Sequence, residues 1–401
     1  MFYIIFGILL LCLILRGIFK IKFHFWSVQP VFHIYDLQHW FNPHKVIETD
    51  LPTVNKYVNI IDIRTYSINE ISELDTTKFC NFLKNNYLRN KMSEYLPDER
   101  HIMEYLKSTN KPSFISIYRK PKILYTGSKN INNVIINDHE ICSVISAKVL
   151  NITFKNKKTF PLYYIDNLCV NPDIRKQGIA PKSIQTLYYN IRRKNEEINT
   201  YLFKREGEMN VIVPLTTYDS KCYDVDKLPV LNFLHASMKV IEISKQNINL
   251  FMNFLTEKKE LLECIIVPDI TNILNIINVE NVILYGIIEN NKLIALYVYR
   301  DSATTYDEGY SLELINSLSL CHDKHSFICG LSESLNMCVK KMNKKKVDIT
   351  KLLIEEIGDN KIFTKYLEEN YINYLFKSPC AFFLYNYVSY TYASDKCFFL
   401  Y

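Results

Sequence analysis

One short stretch constrains the fold of this chain more than any other: Ile165-Asp166-Asn167-Leu168-Cys169-Val170-Asn171-Pro172-Asp173-Ile174-Arg175-Lys176-Gln177-Gly178-Ile179-Ala180-Pro181. Residues 163–170 are apolar and β-rich, the pattern of a buried strand. The turn that follows is basic, and its successive backbone N–H groups can converge on one anion. Gly178 lets the backbone approach such an anion closely. Pro181 suits the first position of a helix, and Ile184, Leu187, Tyr188 and Ile191 recur at helical spacing, which gives that helix one apolar face for a sheet. Strand, turn and helix together form a phosphate cradle with the helix dipole facing the ligand.

The remainder of the chain reads as α+β. Residues 73–87 and 99–106 have helical patterns, while 113–118, 140–150 and 163–170 read as strands, and a helix over 181–195 closes the first part. Further on, 247–263, 271–277, 332–343 and 350–356 read as helical, with paired strands at 283–289 and 293–299 across Asn290-Asn291, and a strand at 381–390. The phosphate-loop pattern occurs once, so one cofactor site per chain is expected.

Length and composition agree with a large folded protein: 401 residues with 48% hydrophobic content bury a sizeable core in two or more domains. The net charge of +6 is spread along the chain without a basic, aromatic-interleaved stripe, which argues against a dedicated nucleic-acid binder. Eleven cysteines at irregular positions contain no Cys-x-x-Cys pair, which points to a reducing compartment rather than a disulfide framework. Cys321, His322, His325 and Cys329 are the one cluster of metal-ligating types, and their spacing fits no standard zinc pattern, so no metal is expected.

The N-terminus stands apart. Residues 2–15 are almost unbroken apolar, and Gly17, Ile18 and Phe19 extend the run past Arg16 to marginal membrane-spanning length. Arg16, Lys20 and Lys22 follow the run and no basic region precedes it, which favours a single-pass anchor with the body on the cytoplasmic side. A cleaved signal peptide is the rival, weakened by the missing basic region and cleavage site.

The phosphate-cradle pattern resembles the acyl-CoA pyrophosphate loop of the GNAT acyltransferases. The resemblance narrows to the glycylpeptide N-myristoyltransferases, whose segment runs Asn-Phe-Leu-Cys-Val, a basic turn, then Val-Ala-Pro; Leu168-Cys169-Val170 and Ile179-Ala180-Pro181 match it in register. Phe25-Trp26-Ser27-Val28-Gln29-Pro30-Val31 is similar to the family's Phe-Trp-x-Thr-Gln-Pro-Val. Weaker echoes are Asn86-Tyr87, Val144-Ile145-Ser146-Ala147, and Phe383-Leu384-Tyr385-Asn386-Tyr387.

The resemblance implies two GNAT-like acyltransferase lobes in tandem. Residues 21–227 would be the acyl-CoA-binding lobe and 228–401 a second lobe contributing the peptide groove, with 1–20 as the hydrophobic anchor. It implies myristoyl transfer from myristoyl-CoA to the N-terminal glycine of a protein, with no metal. Attack of an amine on a thioester needs donors for the developing oxyanion and an acceptor for the amine's proton. By resemblance, the donors are the backbone amides of Asn167 and Leu168, and the acceptor is the terminal carboxylate at Tyr401, which is ionised at neutral pH.

Arg175, Lys176, Gln177, Gly178, Ile179, Ala180 and Pro181 would take the pyrophosphate after Leu168, Cys169 and Val170, with Phe25 and Trp26 over the nucleotide end. Trp26, just past the apolar run, also suits a membrane-interface anchor. Three departures bear on the substrate: Asn167 stands where the family has Phe, its acidic loop has no clear counterpart over 87–97, and its Tyr-Thr-Ala-Gly segment is replaced by Phe203-Lys204-Arg205-Glu206-Gly207. The rivals are a GNAT-type acetyltransferase acting on another amine and a non-catalytic, membrane-anchored relative.

Overall fold

A computed structural model describes residues 2–87, 93–107, 111–125, 135–207, 211–231, 234–306, 309–345 and 347–401. Among the described residues, one mixed sheet of fifteen strands forms the body, and a short pair, Lys45–Val46 with Tyr387–Val388, lies apart from it. The long strand Ile135–Phe154 organises the first part: it pairs antiparallel with Phe114–Tyr125 and Cys264–Val267 on one side and with Phe160–Val170 on the other. The sheet continues through Tyr201–Glu206, Phe376–Tyr385, Thr216–Asp224, Ile349–Glu355, Gly309–Ser319, Lys292–Tyr306 and Val282–Glu289 to Met238–Ile243.

Strands on the two sides of residue 227 therefore share hydrogen bonds. Phe376–Tyr385 lies between two strands of the first part, and Cys397–Phe399 runs parallel to Cys264–Val267 at the opposite edge. The mixed α+β architecture expected from the sequence is the observed one.

Period-2 alternation explains the central strand. Leu162 and Tyr164 enter the core beneath Tyr401, whereas Tyr163 enters the core on the other face. The helix Ile179–Lys194 covers that second face, its Leu187, Tyr188 and Ile191 packing with Ile145, Ala147 and Val149. Burying each of the Leu, Ile and Val side chains among them contributes about 1.5–3 kcal/mol. The hairpin turn expected at Asn290-Asn291 has φ of 50° and 62°, the left-handed pair that a tight two-residue connection needs and that Asn tolerates.

Two expectations require correction. Residues 350–356 read as helical because Lys, Leu and Glu are strong helix formers, yet Ile349–Glu355 is a strand. It is parallel to Gly309–Ser319 and antiparallel to Thr216–Asp224, and its Leu352 and Ile354 are fully buried, so tertiary pairing outweighs local propensity. Pro181 is the third residue of its helix rather than the first, because Gly178 caps the helix at φ 73° and Ile179 begins it. A proline there is harmless, since the first four helical N–H groups lack intrahelical partners.

The helix Phe2–Lys22 is held to the body at its C-terminal end, where Phe19 is buried with its ring 5.1 Å from that of Phe23 and 5.4 Å from that of His33. Tyr3, Phe6, Leu10, Leu11, Leu13, Ile14, Ile18 and Ile21 are exposed. Among the described residues, no helix is long and apolar enough to cross a membrane.

Candidate active site

The cradle begins where Phe160–Val170 ends. Asn171 accepts a bond from the amide of Asp173 at 3.1 Å and starts a short 3-10 turn, Pro172–Ile174. Lys176 and Gly178 then have positive φ, 64° and 73°, which turns the chain sharply into the helix. A β-carbon at Gly178 meets nothing within 4 Å, so glycine is required there by backbone conformation, and the space outside the turn is open to a ligand. Lys176 and Gln177 are exposed beside the free amides of the first helical turn. Arg175 is used differently from expectation: its guanidinium donates to the carbonyls of Val170 and Asn86, both at 3.3 Å, and so fixes the turn against the end of the helix Glu73–Asn86.

One turn upstream the strand is bulged. Asn167 and Leu168 stand opposite the single residue Ile145, between the pairs Val144–Cys169 and Ser146–Asp166. Asn167 has φ 55°, and its side-chain amide donates to Ser146 Oγ at 2.9 Å, while Ser146 donates to the carbonyl of Asp166 at 3.1 Å. Asn suits this position because it adopts left-handed φ at low cost and its short amide bonds locally. The Asn167 N–H donates to Asp166 Oδ1 at 2.8 Å, so one of the two expected oxyanion donors is engaged by a carboxylate. Cys169, inside the core, has its thiol pushed up to about 12 by burial, which rules it out as a thiolate nucleophile at neutral pH.

Asn167, Leu168 and Tyr401 line one cleft of about 540 Å³, together with Tyr87, Tyr95, Tyr105 and Tyr164. Tyr401 is 1% exposed, and its ring meets those of Tyr164 and Phe382 edge-on at 5.3 and 5.2 Å. Its hydroxyl donates to both oxygens of Glu355, at 3.0 and 2.8 Å. Lys204 donates to the same carboxylate and lies 3.3 Å from the Tyr401 hydroxyl. Arg300 lies over the Tyr401 ring at 4.6 Å and donates to Glu313 at 2.6 Å.

Burial alone would raise the Glu355 carboxyl, but Lys204 and Arg300 outweigh it and hold it below the usual carboxylate range. Burial likewise opposes a charged Lys204, and Glu355 reverses the effect and raises it well above an ordinary lysine.

A second cluster forms the floor. Tyr105, near the end of the helix Glu99–Leu106, donates to Asp166 Oδ2 at 3.1 Å. That helix is held from the second part of the chain: Asn281 donates to the His101 carbonyl at 2.7 Å and Asn272 to the Lys107 carbonyl at 2.5 Å. Beneath Tyr105 lies Lys148, fully buried, with its ammonium 3.8 Å from the ring centroid and without a hydrogen-bond partner among the described residues. Burial pushes Lys148 down to about 7, with Asp166 opposing the fall and Arg300 adding to it.

The Phe25-Trp26 segment packs on the sheet face that the helix Ile179–Lys194 covers. Trp26 stacks on Phe203 at 5.3 Å, and Phe25 meets Tyr57 at 5.1 Å. Two residues on, the Asn59 amide donates to Thr186 in the helix that the cradle begins, at 2.9 Å. The sequence segment without a clear acidic counterpart, 87–97, falls partly outside the described residues, at 88–92. In the Cys321–Cys329 region, Cys329 Sγ lies 3.4 Å from His325 Nε2, and no group of three or more potential metal ligands occurs among the described residues.

This architecture matches solved structures along nearly its whole length. Saccharomyces cerevisiae N-myristoyltransferase with bound myristoyl-CoA superposes with a TM-score of 0.68 at 13% identity, over 96% of this chain and 95% of the yeast one. The chain has the N-myristoyltransferase fold. A second structure of the yeast enzyme with myristoyl-CoA gives 0.63 at 13% identity over 93% and 94% of the two chains. A third, with myristoyl-CoA and inhibitors, gives 0.67 at 14% over 96% and 95%. No protein-family model and no curated protein matches the sequence. At such identity the N-myristoyltransferase fold is retained by backbone pattern and core, while the charged residues in and beneath the cleft, Lys148, Arg300, Glu313 and Glu355, carried no motif by which to find them. Their one signal was charge within otherwise apolar strand segments.

Proposed function

We propose that this chain moves a long-chain fatty acyl group, myristoyl, from acyl-CoA to the N-terminal glycine amine of a protein. The observation that carries the reading is the convergence, in one cleft, of the bulged strand at Asn167-Leu168 and the buried Tyr401, in a chain segment that runs straight into the anion-cradling turn. The turn from Lys176 to Ala180 takes the pyrophosphate of the acyl-CoA co-substrate, and Arg175 keeps the turn in shape. The amides of Asn167 and Leu168 stabilise the oxygen of the thioester as it gains negative charge. The incoming ammonium loses one proton to solvent in the cleft; the C–N bond forms, the C–S bond breaks, and the second proton leaves with the CoA thiol.

Release of free CoA tests this reading, with acetyl-, palmitoyl- and myristoyl-CoA as donors and glycine-starting peptides as acceptors. The expected result is release with a long-chain donor only, abolished when the glycine amine is acetylated. Release with acetyl-CoA in preference would make the chain an acetyltransferase, and no release despite myristoyl-CoA binding would make it a non-catalytic relative.

The same reading places the protein at a membrane, with its body on the cytoplasmic side. The exposed apolar residues of Phe2–Lys22, a helix of about 31 Å at 1.5 Å per residue, support it, since large exposed apolar side chains grouped on one element mark interaction surfaces. The lipidated product also partitions to membranes. Flotation with phosphatidylcholine vesicles should carry the full chain to the top of a density gradient and leave a chain lacking residues 1–18 at the bottom; equal flotation of both would overturn the placement.

A further inference from the structure

A turn beside the cradle is pinned in place and apolar at its tip. Asn59 closes it: its side-chain oxygen accepts from the amides of Ile61 at 3.2 Å and Asp62 at 3.1 Å, and its side-chain amide donates to Asp62 Oδ2 at 2.9 Å. The backbone amide of Asn59 donates in turn to Thr186, on the cradle helix Ile179–Lys194. Two residues after the tip, Ile63 is buried in one cluster with Ile179, the first residue of that helix. The turn is thus fixed next to the cradle, yet it leaves Ile60 56% and Ile61 84% exposed. Turns ordinarily present Gly, Pro, Asn, Asp or Ser, each for a conformational reason, and two adjacent isoleucines meet none of those reasons.

The turn also touches the chain that leaves the N-terminal helix. Lys56 Nζ lies 2.6 Å from His24 Nε2, and the rings of Tyr57 and Phe25 meet at 5.1 Å. Val28 and Val54, on the same two segments, are each more than half exposed, so the apolar exposure of Phe2–Lys22 continues onto the body. The charge there has one sign. Residues 1–35 and 51–61 contain no Asp or Glu, while Arg16, Lys20, Lys22 and Lys56 are exposed. Asp62, the first carboxylate after the tip, is engaged by Asn59. Exposed aliphatic side chains among cations, with no free carboxylate between them, complement the apolar boundary and negative surface of an anionic bilayer.

We propose that the Ile60-Ile61 tip inserts into the headgroup layer of an anionic bilayer and holds the cradle at the membrane surface, where it takes up acyl-CoA. The inference rests on the membrane placement proposed above and deepens it, by adding a contact made by the body itself. A single fatty acyl chain gives only marginal, reversible membrane binding, so an acyl-CoA exchanges between the bilayer surface and water. A cradle tied to an inserted tip through Thr186 and Ile179 meets that cofactor where it is concentrated. The N-terminal helix alone would tether the body without setting which part of it lies at the lipid.

The test reads the depth of the tip in the full chain. Ile61→Trp is mixed with vesicles of phosphatidylserine and phosphatidylcholine, the latter with brominated acyl chains that quench an indole on contact, and the emission of the native Trp26 and Trp40 is subtracted. Tyr371→Trp, at a position 90% exposed just beyond the helix Asn360–Glu369, is the control. The added emission of Ile61→Trp should shift to the blue and be quenched, that of Tyr371→Trp should do neither, and Ile60→Asp introduced beside Ile61→Trp should reduce the quenching. Protein that floats with the vesicles while Ile61→Trp stays unquenched, or quenching equal at both positions, would overturn the proposal and leave the helix as the membrane contact. A chain that does not float would overturn the membrane placement and this proposal together. An emission change on adding myristoyl-CoA without vesicles, in place of quenching, would make the tip a cover for the cofactor and overturn the lipid contact.

Discussion

Glu355→Gln should destabilise the protein by about 3 kcal/mol, because it leaves the largely buried Lys204 ammonium without the carboxylate that pairs with it. Glu355 is 2% exposed, it accepts from Lys204 and from the Tyr401 hydroxyl, and Arg300 lies 3.9 Å away. The desolvation cost of Lys204 remains in the variant while the attraction that offset it is gone, whereas Arg300 keeps its pair with Glu313. Urea unfolding monitored by tryptophan fluorescence measures the loss. Lys204→Met in the same background should recover part of it, as coupled partners are not additive. A loss below about 1 kcal/mol, the range for exposed ion pairs, would mean that solvent screens the cluster.

The sign of the pH dependence follows from the folded-state shift. A carboxyl held below its unfolded value contributes stability that is complete above the ordinary carboxyl range and is lost as acid titrates the folded form. Acid sensitivity should therefore be smaller in Glu355→Gln than in the full chain.

Lys148→Met should act in the opposite direction and raise stability, by about 1–4 kcal/mol near neutral pH, the range for replacing buried charge with a well-packed apolar side chain. Lys148 is fully buried and its amine is lowered from 10.5 to about 7. A lysine lowered on folding penalises the folded state fully below the folded value. The penalty is relieved as pH rises from about 7 toward 10.5, since the unfolded chain binds the proton and the folded one does not. Between about pH 6.5 and 8.5 the native protein should gain about 2 kcal/mol relative to Lys148→Met. Parallel stability curves for the two proteins across that interval would show that Lys148 keeps its proton, held by the Tyr105 ring and Asp166.

The cradle was legible in the sequence because its determinants are local and act through the backbone. Gly178 supplies a positive φ, Pro181 tolerates a helical first turn, and the apolar spacing of Leu187, Tyr188 and Ile191 sets the packing face. Asn167 and Leu168 were singled out by resemblance to a family motif, and they line one cleft with Tyr401. The ionic clusters were not, since Lys204, Arg300, Glu313, Glu355 and Tyr401 meet only after the sheet has assembled. Ile349–Glu355 shows the same limit: its helix-forming residues are overruled by two flanking strands that exist only in the folded sheet. Arg175 carries a related lesson, as a basic residue in an anion-binding motif is spent on two carbonyls and shapes the turn.

The measurement that bears most directly on the central claim is tandem mass spectrometry of a glycine-starting peptide, carrying an internal lysine, after incubation with the full chain and myristoyl-CoA. The account predicts a single added myristoyl group on fragment ions that contain the N-terminal glycine, and none on the same peptide acetylated at its amine. A myristoyl group on the lysine alone, or an unmodified peptide in the presence of bound myristoyl-CoA, would contradict it.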